Sequence, residues 1–360
     1  MTPSFQSLIS EATRLTQGGN LQAATAAIQA ALAGAGLPGA ASATSAASAA
    51  TRDSWVIDVP ARELERETGT PAQPASPGGR FIAGSHQEAS GAREYKLYIP
   101  PAASSQARPL VVMLHGCTQN PDDFALGTGM NEAALKHGFF VLYPAQAQSA
   151  NPSRCWNWFK HNHQKRGRGE PAILAGMTRE VMKQHNIDPQ RVYVAGLSAG
   201  GAMAAILGAA YPELFAAVGV HSGLPAGSAI NVQQALSVMK SGGSASSPAA
   251  QAPPTIVFHG DQDSTVHPVN GEHVAAASAG TAAHELEQAR SPNGRHYTRR
   301  VYREAGGRVQ AEHWAVHGAG HAWSGGSARG SYTDASGPDA TQEMLRFFLA
   351  HKLSNLHPVA

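Results

Sequence analysis

From residue 93 onward the chain repeats one pattern: a short unbroken apolar run, a turn of small or polar residues, then a longer segment with helical spacing. The runs are "PLVVMLHG" (109–116), "GFFVLYP" (138–144), "RVYVAG" (191–196), "FAAVGVHSG" (215–223), "PTIVFHG" (254–260) and "VQAEHWAVHG" (309–318). Each is too short to be a helix, and its continuous apolar character marks a strand buried on both faces. "REYKLYIP" (93–100) alternates instead, as a half-buried strand does. Helical spacing fills "EPAILAGMTREVMKQHNI" (170–187) and "GPDATQEMLRFFLAHKL" (337–353). Strands and helices in this order predict an α/β domain over 81–353, a mostly parallel sheet with helices on both faces. In such sheets chemistry gathers at the carboxyl ends of the strands.

The first eighty residues read differently. Phe5, Leu8, Ile9, Ala12 and Leu15 recur at helical spacing, "QGGN" interrupts, and Leu21, Ala24, Ile28 and Leu32 resume it. That predicts an N-terminal helical hairpin over 1–34, with Asn20 as an N-cap, similar to a single tetratricopeptide unit. Residues 35–80 are rich in Ala, Gly, Ser and Pro and predict a low-complexity linker, since too little apolar surface offsets the entropy of ordering. A similar stretch at 241–254 reads as a loop insertion within the main domain. A net charge of +2 with 14% charged residues offers no basic surface to a nucleic acid. The N-terminus lacks a basic region followed by an apolar stretch, and no apolar run reaches the roughly 18 residues of a membrane span. The expectation is a cytoplasmic protein without a membrane span; the alternative is a secreted one whose signal is atypical or was removed.

Within this frame "VAGLSAGG" (194–201) stands between a predicted strand and the apolar helical segment "AMAAILGAAY". A serine on a sharp strand-to-helix turn needs small neighbours, and Gly196 and Gly200 supply them in the G-x-S-x-G spacing of a nucleophile elbow. The following helix N-terminus favours negative charge developing near Ser198. A serine hydroxyl becomes a useful nucleophile once a histidine takes its proton and a carboxylate holds that histidine's tautomer. On a sheet of this kind the order is serine, acid, histidine, each on a loop after a strand.

"HGDQDSTV" offers Asp261 and Asp263 after one strand, and "AGHAWSGG" offers His321 after the last. Spacing leaves the two aspartates undecided; one of them has only to hold its loop. Among seventeen histidines, His313 and His317 suit strand positions, His259 a supporting role behind the acid, and His115 the orientation of the "HGC" loop. His161 and His163 fall in a polar, basic stretch and read as solvated.

An oxyanion hole needs two N–H donors aimed at the tetrahedral intermediate. Ala199 provides one by following the nucleophile, and Cys117 in "LHGCTQN" the other. Cys117 and Cys155 are the two cysteines of the chain. Their loops follow neighbouring strands, so a disulfide would brace the oxyanion loop; a reducing cytosol argues against it. Trp156 and Trp323, with Trp158 and Phe159, either line an acyl or aromatic pocket or belong to the core. No phosphate-binding loop and no zinc-ligand spacing occurs, so neither a metal nor an organic cofactor is expected.

Five motifs, "HGCTQNPDDFA", "RCWNWF", "GLSAGGAMA", "FHGDQDSTVHPVNG" and "GAGHAWSGG", together resemble the esterase family of polyhydroxybutyrate depolymerases. More narrowly they resemble the type I catalytic domain of short-chain-length polyhydroxyalkanoate depolymerases, related to feruloyl and acetylxylan esterases. The resemblance spans about 80–352. It implies an α/β-hydrolase fold and hydrolysis of polyester or oligoester by a Ser198–Asp263–His321 triad, with Asp263 matching the family's D-x-T-V acid. It implies Cys117 in the oxyanion hole and often paired with the cysteine of "CWNWF". Secreted members of this type commonly carry a signal peptide, a linker and a domain that adsorbs to crystalline polymer. Here the extension is the N-terminal hairpin, which predicts an intracellular enzyme for amorphous polymer granules or soluble oligomers. Other expectations are a carboxylesterase for feruloyl, acetyl or other short acyl esters, and, in another class, an inactive granule-binding protein.

Overall fold

The computed structural model describes residues 78–101, 106–243, 252–280 and 282–353. The hairpin expected over 1–34 lies outside the described residues, as do the linker expected over 35–80 except its last three positions and most of the insertion at 241–254.

Among the described residues twelve strands are formed: β1 Arg80–Glu88, β2 Gly91–Ile99, β3 Arg108–Leu114, β4 Phe140–Pro144, β5 Ile187–Leu197, β6 Ala217–His221, β7 Thr255–Gly260, β8 His284–Arg290, β9 His296–Arg303, β10 Val309–Val316, β11 Trp323–Ser324 and β12 Thr333–Asp334. The helices are α1 Pro121–Thr128, α2 Met130–His137, α3 Gly169–Gln184, α4 Ala199–Ala210, α5 Val232–Ser241, α6 Val269–Ala279 and α7 Ala340–Leu349. Ten strands form one sheet in the order β1-β2-β4-β3-β5-β6-β7-β10-β9-β8. The centre, β4-β3-β5-β6-β7-β10, is parallel, and an antiparallel pair closes each edge.

The apolar runs are unbroken because both faces of the central strands are covered. Leu110, Val112 and Leu114 of β3 point to the face packed by α3, α4, α5 and α6, while Val111 and Met113 point to the face packed by α1, α2 and α7. Val192 and Val194 of β5 share the first face, and Tyr193 and Ala195 the second. This period of two is the pleat of the strand. Asn120 caps α1 by accepting from the Asp123 N–H at 3.0 Å, with Pro121 in the first turn, and Asp339 caps α7 in the same way from Gln342 N–H at 3.0 Å. Side-chain acceptors there satisfy N–H groups the helix itself leaves free.

Several elements depart from the sequence reading. The helix expected over 170–187 stops at Gln184, and Ile187 already begins β5, because His185 turns extended. Strands β1, β8 and β9 were not legible as strands. β8 is exposed at almost every position, and Glu287 opposite Arg299 replaces an apolar pair, so an edge ladder is built from charge. Such edges resist pairing with other chains. No helix among the described residues is long and apolar enough to cross a membrane.

The register aligns the strand ends that matter. Leu114 sits beside Gly196, Leu197 beside His221, His221 beside Phe258, and Gly260 beside Val316. The loops after β3, β5, β7 and β10 therefore emerge side by side and carry Cys117, Ser198, Asp263 and His321.

Candidate active site

Ser198 occupies the single residue between β5 and α4, with φ 58° and ψ −119°. A non-glycine residue there is strained, and strain of this kind persists only where neighbours enforce it. The enforcement is close packing of backbone on backbone. A Cβ on Gly200 would lie 2.0 Å from the Leu114 carbonyl oxygen, and one on Gly196 2.4 Å from the Gly200 carbonyl carbon. Ser198 N–H donates to the His221 carbonyl at 2.9 Å, fixing the turn to β6. The residue is 9% exposed.

Two Asp–His pairs form, and they differ. His321 Nδ1–H donates to Asp263 Oδ2 at 2.7 Å, which leaves Nε2 free to accept a proton. Asp263 is buried and saturated: Oδ1 accepts from the Thr265 and Val266 N–H groups, each at 2.9 Å, and His259 Nε2 lies 3.3 Å from Oδ2. Burial alone raises the pKa of this carboxyl, but the hydrogen bonds from His259 and His321, with the charge of His321, outweigh it and hold the group far below the carboxylate range. Asp261 instead pairs with His317 at 2.9 Å and accepts from Gly318 N–H at 2.7 Å, in an exposed position. The acid loop and the histidine loop are joined by Gln262 N–H donating to Ala319 O at 3.0 Å.

Ala199 is the first residue of α4, so its N–H has no acceptor within the helix. Around Cys117 the loop is pinned on both sides. Gly116 N–H donates to Gln119 Oε1 at 2.9 Å and Thr118 N–H to Ser153 O at 2.7 Å, while Thr118 takes φ 65°. A disulfide joins Cys117 to Cys155. His115, just before this loop, donates from Nδ1 to Gly116 O at 2.8 Å and accepts at Nε2 from Gln146 N–H at 3.1 Å. Burial pushes its pKa down to about 4, so it stays a neutral brace. A cleft of about 990 Å³ opens beside the loop, with His115, Gln119, Gln146 and Arg154 in its walls.

Trp156 and Trp323 require a correction: neither lines a pocket open to solvent. Both are fully buried, with the Trp156 indole N–H on His115 O and the Trp323 indole N–H on Thr341 Oγ1, each at 3.1 Å. They stand behind the loops of Cys117 and His321 as packing. His163 also departs from its expected solvation. Its side chain is largely buried, 3.4 Å from Glu170, a buried carboxylate that accepts from Asn157 and Gln146 and ties the 145–157 segment to α3.

His221 was missed. Its ring is stacked between Phe258 and Trp323, and burial drives its pKa well below the histidine range. Its Nε2 accepts from Ser324 N–H at 2.9 Å, while its carbonyl holds Ser198 N–H. One neutral residue thus links the Ser198 turn to the loop of His321. The available signal was a histidine ending an apolar strand in "GVHSG", the position His259 occupies in "VFHGD".

A parallel-centred sheet with a strained serine between β5 and α4, followed in order by an acid and a histidine loop, defines the α/β-hydrolase class. The chain belongs to the Esterase PHB depolymerase family, whose model matches residues 93–283. It is similar to poly(3-hydroxyalkanoate) depolymerase C of Paucimonas lemoignei, with 32% identity over 239 residues, 62% of this chain and 57% of that protein. It is also similar to acetylxylan esterase A of Emericella nidulans, with 33% identity over 199 residues, 49% of this chain and 63% of that one. Among solved structures, the acetyl xylan esterase from Aspergillus awamori shares the fold with a TM-score of 0.55 and 20% identity, over 72% of this chain and 94% of that one. The chain spans about half the length of the polyhydroxyalkanoate depolymerases it matches.

Proposed function

We propose that this protein is a serine esterase that hydrolyses poly(3-hydroxybutyrate) or its oligomers through an acyl-enzyme on Ser198. Ser198 Oγ attacks the ester carbonyl while His321 Nε2 takes its proton. Asp263 keeps the tautomer of His321 and stabilises the imidazolium. The N–H groups of Cys117 and Ala199 receive the oxyanion. Collapse breaks the C–O bond, the departing alcohol takes the proton from His321, and a water activated by His321 then releases the acid. The observation that carries this reading is the 2.7 Å bond between His321 Nδ1 and Asp263 Oδ2, on loops beside the strained Ser198 turn. The polymer substrate is supported by the relative named as a poly(3-hydroxyalkanoate) depolymerase.

Ser198→Ala is expected to lower turnover by at least about 10⁴-fold while unfolding normally; a folded variant that retained esterase activity would overturn the assignment. Covalent labelling of the wild type by a fluorophosphonate separates an active hydrolase from an inactive granule-binding protein. The relative named as an acetylxylan esterase favours a second reading, a carboxylesterase for acetyl, feruloyl or other short acyl esters. Release of 3-hydroxybutyrate from amorphous polymer and oligomers, compared with turnover of acetylated xylan and methyl ferulate, decides between them.

The Cys117–Cys155 disulfide favours work in an oxidising compartment over the cytosol. Thiol titration of the protein taken from its native cells tests this: two free thiols would return it to the cytosol.

A further inference from the structure

Tyr332 has a left-handed backbone, φ 52°, and the residue is 46% exposed. Its neighbours hold it there. Ser331 N–H and Oγ donate to the two carboxylate oxygens of Asp123 at 2.9 and 2.6 Å, and the Ser331 carbonyl accepts from Gln119 Nε2 at 3.2 Å. On the other side Thr333 pairs with Trp323 in the short β11–β12 ladder, and Trp323 N–H donates to Tyr332 O at 2.7 Å. The backbone of Tyr332 is therefore bonded two residues past His321.

The hydroxyl reaches the other side of the site. Tyr332 Oη lies 3.0 Å from Thr118 Oγ1, and Thr118 Oγ1 donates its own proton to Cys117 O at 2.6 Å. Tyr332 is consequently the donor in a chain Tyr332 O–H to Thr118 O–H to Cys117 O. Its ring spans from the loop of His321 to the loop of Cys117. An ester whose carbonyl oxygen sits at Cys117 N–H and whose leaving oxygen faces His321 lies between those same two loops. The ring carries no ion pair and takes part in no ring stack among the described residues, so its exposed face is apolar.

We propose that Tyr332 determines specificity: its ring is the apolar wall on which the aliphatic chain of a hydroxyacid ester lies beyond the scissile bond. This rests on the esterase reading above. The chemistry recognised is a methyl-branched or linear alkyl ester chain, and binding lost without loss of transition-state contacts raises KM rather than lowering kcat.

The test uses the full chain, with active sites counted by fluorophosphonate labelling, and measures kcat/KM for a 3-hydroxybutyrate trimer methyl ester relative to p-nitrophenyl acetate. Tyr332→Ala is expected to lower that ratio about tenfold through KM. Tyr332→Phe, which keeps the ring, is expected to stay within about threefold of wild type, and Tyr332→Leu to fall between. An equal loss on both substrates would make Tyr332 only a brace for the oxyanion loop, and an unchanged ratio, or a Phe variant as impaired as Ala, would equally overturn the proposal. Should the Ala variant fail to fold, the Phe and Leu variants carry the same comparison. If the wild type cleaves no hydroxybutyrate ester, the polyester reading fails on its own, and the ratio for p-nitrophenyl octanoate over acetate tests Tyr332 independently.

Discussion

Asp261 and Asp263 are two residues apart, carry the same carboxylate and each meet a histidine, yet their surroundings separate them. Asp263 is closed off and accepts from two backbone N–H groups while holding His321. Asp261 holds an exposed His317 and the Gly318 N–H at the end of the same strand. Asp263→Asn would present an amide to His321 and leave the wrong nitrogen protonated, so kcat is expected to fall by about 10⁴. Asp261→Asn keeps an acceptor for Gly318 and should change kcat by less than about threefold. Steady-state turnover of p-nitrophenyl butyrate, normalised to titrated sites, checks both; a large loss in the Asp261 variant would reassign the acid.

The element with least regular structure, residues 145–168, is the one that supports the Cys117 loop. It has only a 3-10 turn at His161–His163, so its shape depends on cross-links. One is the disulfide from Cys155 to Cys117, and another is Glu170 at the start of α3, bonded to Asn157 and Gln146. Burial raises the Glu170 pKa, but hydrogen bonds from His163, Gln146 and Asn157 more than offset this and keep it low. The disulfide closes a separation of 38 residues, for which chain entropy gives about 4 kcal/mol of stabilisation. Cys155→Ser is expected to lose about that much in urea unfolding, and wild type with reductant should follow it. In the proposed mechanism Cys117 N–H receives the oxyanion, so the variant should also lose activity in kcat rather than KM; unchanged stability and kcat would show that Glu170 suffices.

At the scale of the molecule, stacking loops over a parallel sheet buries several histidines in neutral form. Burial, the dominant cause, lowers the pKa of His115 to about 4 and that of His313 to about 3, and holds that of His221 well below the histidine range. In the unfolded chain such groups titrate near 6.5 and bind protons that the folded protein refuses, so stability falls as pH drops below about 6.5. Asp263, Glu170 and Glu312 have lowered folded values, so their contribution is present above the unfolded carboxylate range and is lost only below it. Between about pH 6.5 and 4.5 the histidines therefore govern the slope. Unfolding by urea at pH 7 and pH 5 should show a loss on the order of 2 kcal/mol for each of His115 and His313. A flat profile would mean that these rings become protonated in the folded state.

Local chemistry was enough to read the central strands, the G-x-S-x-G turn and the order of the loops. Unbroken apolar runs require burial on both faces, and Gly196 and Gly200 require a backbone that approaches too closely for a side chain. The strands β1, β8 and β9 escaped because few of their positions are buried and polar or charged residues break their pattern, so no apolar period marks them. Spacing left Asp261 and Asp263 open and only the family resemblance singled out Asp263; the pairing of Asp261 with His317 needed the register of β7 against β10. The same holds for Trp156 and Trp323, whose apolar bulk suits a pocket wall or a core equally until their neighbours are known. His221 and Tyr332 gained their roles only when strands and loops remote in sequence were brought within hydrogen-bond reach. Burial and backbone sterics are written in each segment by itself, whereas the partner of a hydrogen bond depends on where every other segment packs.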